Sequence, residues 1–111
     1  MGAYFKIFKD AAGEFRFNLH APNGERILHS EGYSQKSGCL NGIESVRTHS
    51  ASASNFEKFV DTAGKYRFRL RARNNEIIGQ SEAYETLQSC QNGIDSVMQN
   101  APIAIIIDDT N

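Results

Sequence analysis

The sequence predicts an α+β protein built from two tandem β-β-β-α-β units that make up one domain. Three observations carry that expectation. The chain is written twice, each position of the first copy returning 51 residues later without insertion or deletion. Within each copy an early segment alternates apolar and polar residues, the period of a strand. A later segment changes to the period of a helix. Asp10, Gly13, Arg16, Phe17, Leu19, Glu31, Tyr33, Cys39, Gly42, Ile43 and Val46 come back as Asp61, Gly64, Arg67, Phe68, Leu70, Glu82, Tyr84, Cys90, Gly93, Ile94 and Val97. A unit of this size is short for a core of its own, so the two copies are expected to share one interior. The boundaries read as 4–51 and 55–108 within a single domain, 1–111.

The first strand of each copy opens at residue 4 or 55. It is closed by Asp10-Ala11-Ala12-Gly13 or its counterpart, a hairpin loop with Gly in the left-handed position. The second strand is the clearest. Phe15, Phe17, Leu19 and Ala21 alternate with Glu14, Arg16, Asn18 and His20, and Tyr66, Phe68, Leu70 and Ala72 do the same against Lys65, Arg67, Arg69 and Arg71. Asn23-Gly24 and Asn74-Asn75 tolerate positive φ and predict tight two-residue hairpins into third strands over 26–30 and 77–81.

Cys39, Gly42, Ile43 and Val46, with Cys90, Gly93, Ile94 and Val97, then fall at i, i+3, i+4 and i+7, a helix with one apolar stripe. A glycine in mid-helix costs about 1 kcal/mol relative to Ala. Its presence on the buried stripe of both copies predicts a close approach of backbone to a neighbour. Ser34 or Ser37, and Thr86, are the candidate N-caps. After the helices the copies diverge. The first runs into a small polar connector, whereas the second ends in an apolar run over 103–107, expected to lie inside the sheet because β-branched residues need cover on both faces.

Composition bounds the function. Net charge is −1 and 40% of residues are hydrophobic, the profile of an ordinary globular domain with no bulk affinity for nucleic acid. No early apolar run resembles a signal peptide, and no stretch could span a bilayer, so a cytoplasmic protein without a membrane partner is expected. The two cysteines sit in mid-helix without a secretory signal and read as free, buried thiols. His20, His29 and His49 lack counterparts in the second copy and lack metal-ligand spacing, so no metal and no cofactor is predicted.

The unit as read, with Asp10-x-x-Gly13-x-Phe15-Arg16-Phe17, Asn23-Gly24-Glu25, Tyr33 and Gly42-Ile43-x-Ser45-Val46, resembles the YegP-like family of small bacterial proteins. These carry a domain of unknown function in single or tandem copies. The resemblance covers residues 4–108. It implies a pseudo-two-fold monomer with one mainly antiparallel sheet, two helices on one face, and C-terminal strands exchanged between repeats. It implies no activity, cofactor or catalytic residue.

The candidate site residues follow from the strand faces. Arg16 and Arg67 are the arginines kept in both copies. Counting along the hairpins sets them opposite Glu31 and Glu82, either as cross-strand ion pairs or, brought together by the two-fold, as a site for an anionic group. The same count puts Ile27 and Ile78 on that outer face. Lys65, Arg67, Arg69, Arg71 and Arg73 form a basic row on one strand, the feature a nucleic-acid-binding reading would use. The expectation is a non-enzymatic binding or interaction module that meets a protein or small anionic ligand on the open sheet face. Nucleic-acid binding through the basic row is the alternative.

Overall fold

The computed structural model describes residues 2–110. Repeat one contributes β1 (Tyr4–Lys9), β2 (Phe15–His20), β3 (Arg26–His29) and α1 (Lys36–His49). A 3-10 turn at Ala53–Asn55 leads into repeat two, with β4 (Phe56–Val60), β5 (Tyr66–Arg71), β6 (Ile77–Gln80), α2 (Leu87–Asn100) and β7 (Ile105–Asp108). All seven strands form one sheet in the order β4-β5-β6-β3-β2-β1-β7. Every pairing is antiparallel except that of β7 with β1. Repeat one ends at α1 and a 3-10 turn without the fourth strand expected of each unit, so the exchange is one-sided: the strand that ends repeat two closes the sheet beside the strand that opens repeat one.

The expected alternation sets the core. Phe5, Ile7, Phe17, Leu19, Phe68 and Leu70 are wholly buried beneath the stripes of the two helices, as are Cys39, Ile43, Val46, Cys90 and Val97. Each large side chain removed from water contributes about 1.5–3 kcal/mol. The mid-helix glycines are there because of close approach. A methyl on Gly42 would overlap the Tyr33 hydroxyl and press on the Phe17 ring, and one on Gly93 would do the same to Tyr84 and Phe68. Tyr33 and Tyr84 are themselves tied to β2 and β5 by paired main-chain hydrogen bonds with Phe15 and Tyr66.

Gly13 and Gly64 occupy the left-handed region, as the hairpin reading requires. The second hairpin differs from expectation. Ala21 N donates to Glu25 O and Ala72 N to Glu76 O, so the loops hold three residues, with Gly24 and Asn75 at positive φ. Register then shifts between Leu19 and His20, and between Leu70 and Arg71, where β3 and β6 each carry an extra residue. The bulge turns two successive side chains to the same face.

Two other expectations are corrected. The 103–107 run is not inside the sheet: β7 is its edge, with Ile103 and Ile105 73% and 62% exposed. β-branched residues gain cover only where a further strand exists, and none lies beyond β7 among the described residues. The N-cap of α1 is Gln35, without a side-chain bond, instead of Ser34 or Ser37. Its counterpart Thr86 does cap α2, the hydroxyl accepting from Ser89 N at 3.0 Å.

Candidate functional site

The face of the sheet opposite the helices is uncovered, and the odd-even count places Tyr4, Lys6, Phe8, Arg16, Asn18, His20, His29, Arg67, Arg69 and Arg71 there. Arg16 and Arg67 are on this face, as predicted, but their partners are not Glu31 and Glu82. Arg16 Nε donates to Asp10 Oδ2 at 2.6 Å and Arg67 Nε to Asp61 Oδ2 at 2.7 Å. The other oxygen of each aspartate accepts main-chain N–H groups across its own turn: Ala12 and Glu14 for Asp10, Ala63 and Lys65 for Asp61. Those bonds, with the arginine first among them, hold both carboxyls below their ordinary range. Each arginine also reaches a carbonyl at the end of the third strand, Ser30 O or Ser81 O. Glu82 instead pairs with Arg26 across the repeat boundary. The carboxylate partner was legible in the sequence, since Asp10 and Asp61 recur six residues ahead of their arginines in both copies.

The two arginines do not meet. They lie on β2 and β5 with β3 and β6 between them, three strand spacings or roughly 14 Å. Ile27 and Ile78 are not on the outer face either. They are 4% and 6% exposed and belong to the core, because they are the extra residues of the bulges.

The basic row is largely neutralised in place. Lys65 pairs with Glu85 and Arg67 with Asp61, while Arg69 and Arg71 share Glu57. Arg73, the fifth member, has no carboxylate partner among the described residues.

A concavity of about 160 Å³ on the outer face is lined by Phe8, Arg16, Asn18, Arg26, His29 and Ser30. Burial pushes the His29 imidazole below its ordinary value, which keeps it uncharged more readily. At the position of Asn18, repeat two has Arg69, whose guanidinium lies over the Phe59 ring at 3.8 Å from the centroid. Asn18 is too short to cover Phe8 in that way, so this ground is left open in repeat one.

Both thiols are buried, as the helical stripe predicts. Burial pushes Cys39 up to about 11 and raises Cys90 as well, the opposite of what an activated nucleophile requires. His20 stacks on Tyr4 at 4.7 Å with Nδ1 against Gly24 O, and His49 is bonded through both ring nitrogens. Among the described residues no three His, Cys, Asp or Glu side chains gather into a metal-binding cluster, and no helix is long and apolar enough to cross a membrane.

A single helix-backed sheet shared by two repeats, with an uncovered face of mixed aromatic and charged residues, defines a tandem-repeat α+β protein, and comparison with known proteins gives the family. The family described as "Domain of unknown function (DUF1508)" matches twice, over 10–57 and 61–108. The UPF0339 protein in the ptx operon 5′ region of Stutzerimonas stutzeri is 44% identical over 108 residues, 97% of each chain. The UPF0339 protein YegP of Escherichia coli is 42% identical over 110 residues, 99% of this chain and 100% of that one. The solution NMR structure of the E. coli yegP protein of unknown function superposes with a TM-score of 0.94 at 41% identity, covering 100% of this chain and 96% of the other. That of a UPF0339 protein from Shewanella oneidensis gives 0.92 at 43% identity, covering 99% and 93%. The chain belongs to this YegP-like family, whose members are uncharacterised.

Proposed function

We propose that this protein is a non-enzymatic binding module that receives its partner on the open sheet face, at the concavity between Phe8, Arg16, Arg26 and His29. The observation that carries the reading is the combination found there: a ring, two guanidiniums and an imidazole around an unfilled space of about 160 Å³ on an uncovered sheet. Arginine beside aromatic surface suits a protein side chain or a small anionic group, because guanidinium is weakly hydrated and offers a planar fork of donors. Both thiols are buried, His20 is stacked and bonded, and His49 accepts from Arg73 N at Nε2 while its Nδ1 faces Ser45 O and Oγ, so neither imidazole is free to act as a base, which favours binding over catalysis. Lys65, Arg67, Arg69 and Arg71 are paired along the basic row, and Arg16 and Arg26 are paired with Asp10 and Glu82 as well; what favours this site is the unfilled space beside Phe8, which the row lacks where Arg69 covers Phe59.

Repeat two supplies the test. Replacing Asn18 by Arg should lay a guanidinium over Phe8, as Arg69 covers Phe59, and close the concavity without touching the core. Molecules retained by the tagged protein from native cell extract, protein and nucleic acid both, should be lost in Asn18→Arg and kept in Arg67→Gln. An identical retained set in the two variants would remove this face as the site.

A further inference from the structure

A larger groove, about 670 Å³, lies elsewhere, at the seam where α1 of repeat one hands over to repeat two. Its walls come from the end of α1 (Thr48, His49), the connector (Ser54, Asn55) and the end of β5 with its hairpin (Arg71, Arg73). Repeat one shows what the same place looks like when filled. There Tyr4 stands at the position of Asn55 and stacks on His20, the counterpart of Arg71, at 4.7 Å and 11° between planes. Pro22 stands at the position of Arg73. Repeat two has lost the ring that fills the space and gained two guanidiniums around it.

The walls are built. Asn55 is folded back onto the helix end, its Nδ2 donating to His49 O at 2.8 Å, which both vacates the groove and occupies a carbonyl that would repel an anion. Arg73 N donates to His49 Nε2 at 3.1 Å. That nitrogen must therefore be the unprotonated one, so Nδ1 carries the proton and donates to Ser45 O at 2.8 Å. Pro22 has no N–H, so this anchor is absent from repeat one. Arg71 is held at two points, Asn75 O at 2.9 Å and Glu57 Oε1 at 3.1 Å. Glu57 is the one carboxylate in the lining, and Arg69 shares it, so the balance around the groove is positive. Among the described residues every arginine except Arg73 has a carboxylate partner.

We infer that this seam groove is a binding site for a phosphate group, with Arg73 as its principal ligand, Arg71 beside it, and the Thr48 and Ser54 hydroxyls as further donors. Guanidinium forks with hydroxyls match the oxygens of a phosphate, and the volume leaves room for the molecule that carries it. The site lies apart from the concavity on the open face and does not depend on that reading.

The experiment is an amide-resolved NMR titration of the full ¹⁵N-labelled chain at constant ionic strength, with inorganic phosphate, phenyl phosphate and a short single-stranded oligonucleotide as probes. Saturable shifts are expected at Thr48, Ser54, Asn55 and Arg73, and none at Gln99, Ala3 and Tyr4, which stand at the positions of Thr48, Ser54 and Asn55 in the other copy. Arg73→Gln, at an exposed position, should keep its melting temperature and weaken phosphate binding by about tenfold or more. Asn55→Tyr, which copies repeat one, should block it. Tighter binding of phenyl phosphate assigns the group to a small molecule, and tighter binding of the oligonucleotide assigns it to a nucleic acid. Shifts that fail to saturate, that spread over all the arginines, or that survive in Arg73→Gln would overturn the site. Shifts confined to Phe8, Arg16 and His29 would do so too, while supporting the open face.

Discussion

Ile7 on β1 is wholly buried, whereas Lys58, its counterpart on β4, is exposed and donates to Gln91 Oε1 at 2.7 Å. The two strands have the same turn after them and the same partner strand beside them, but β1 is covered by β7 and β4 is an edge. From the antiparallel alternation, the N–H and C=O groups of Phe56, Lys58 and Val60 point away from β5 and are left to solvent. A charged residue there is the ordinary guard against pairing with another chain. Position by position, the repeats agree where a residue holds the unit together and part where their neighbours differ. Leu28 and Gly79 make the same point at the pseudo-two-fold, where a methyl on Gly79 would run into the Leu28 side chain. Two leucines could not both occupy the axis, so one copy carries the bulk and the other the space.

Exchanging residues between the repeats is the strongest way to break this comparison. Ile7→Lys would place an ammonium in a dry site with no acceptor and should destabilise the protein by about 3 kcal/mol or more. Lys58→Ile should stay within about 0.5 kcal/mol in stability but lower solubility by opening the β4 edge. Denaturant unfolding with light scattering reads both, and equal effects at the two positions would mean that the edges are equivalent.

Substitutions at the shared glycines sharpen the comparison from the other side. Alanine normally gains about 1 kcal/mol over glycine in a helix, yet Gly42→Ala and Gly93→Ala should each lose about 1–2 kcal/mol, because the methyl meets a tyrosine hydroxyl and a buried ring. The two losses should agree, since the surroundings repeat. Thermal melts of both variants check this, and a gain in either would show that its tyrosine simply swings aside.

The smallest effect concerns a clamp from α1 of repeat one onto β7 that α2 has no counterpart for. Lys36 holds Asp108, and that bond, aided by Thr110, pushes the carboxyl down to about 2. Leu87 stands where a matching lysine would be in repeat two. A carboxyl whose pKa is lower in the folded chain than in the unfolded one stabilises the fold above its unfolded value, 3.8, and that contribution is lost as the pH falls through about 2. Lys36→Met should therefore lower Tm by roughly a few degrees at neutral pH and bring it level with the parent near pH 2. A gap that persists in acid would place the lysine's contribution in packing instead of charge.

The sequence by itself determined the unit: its strands, its helices, the buried stripe with both thiols, the crowding at Gly42 and Gly93, and the cap at Thr86. These are legible because periodicity and local φ/ψ preference act over a few residues and recur 51 positions later. The faces of Ile27 and Ile78, the partners of Arg16 and Arg67, the edge position of β7 and the open seam beside Arg73 were decided by the tertiary structure. A bulge reverses every facing read from alternation beyond it, and nothing in the local pattern marks where the extra residue goes. Whether a strand is edge or interior, and whether a groove is filled or empty, depends on which segments distant in the chain arrive beside it. Two nearly identical repeats therefore end in different surroundings, because a sheet that does not close on itself must have two ends.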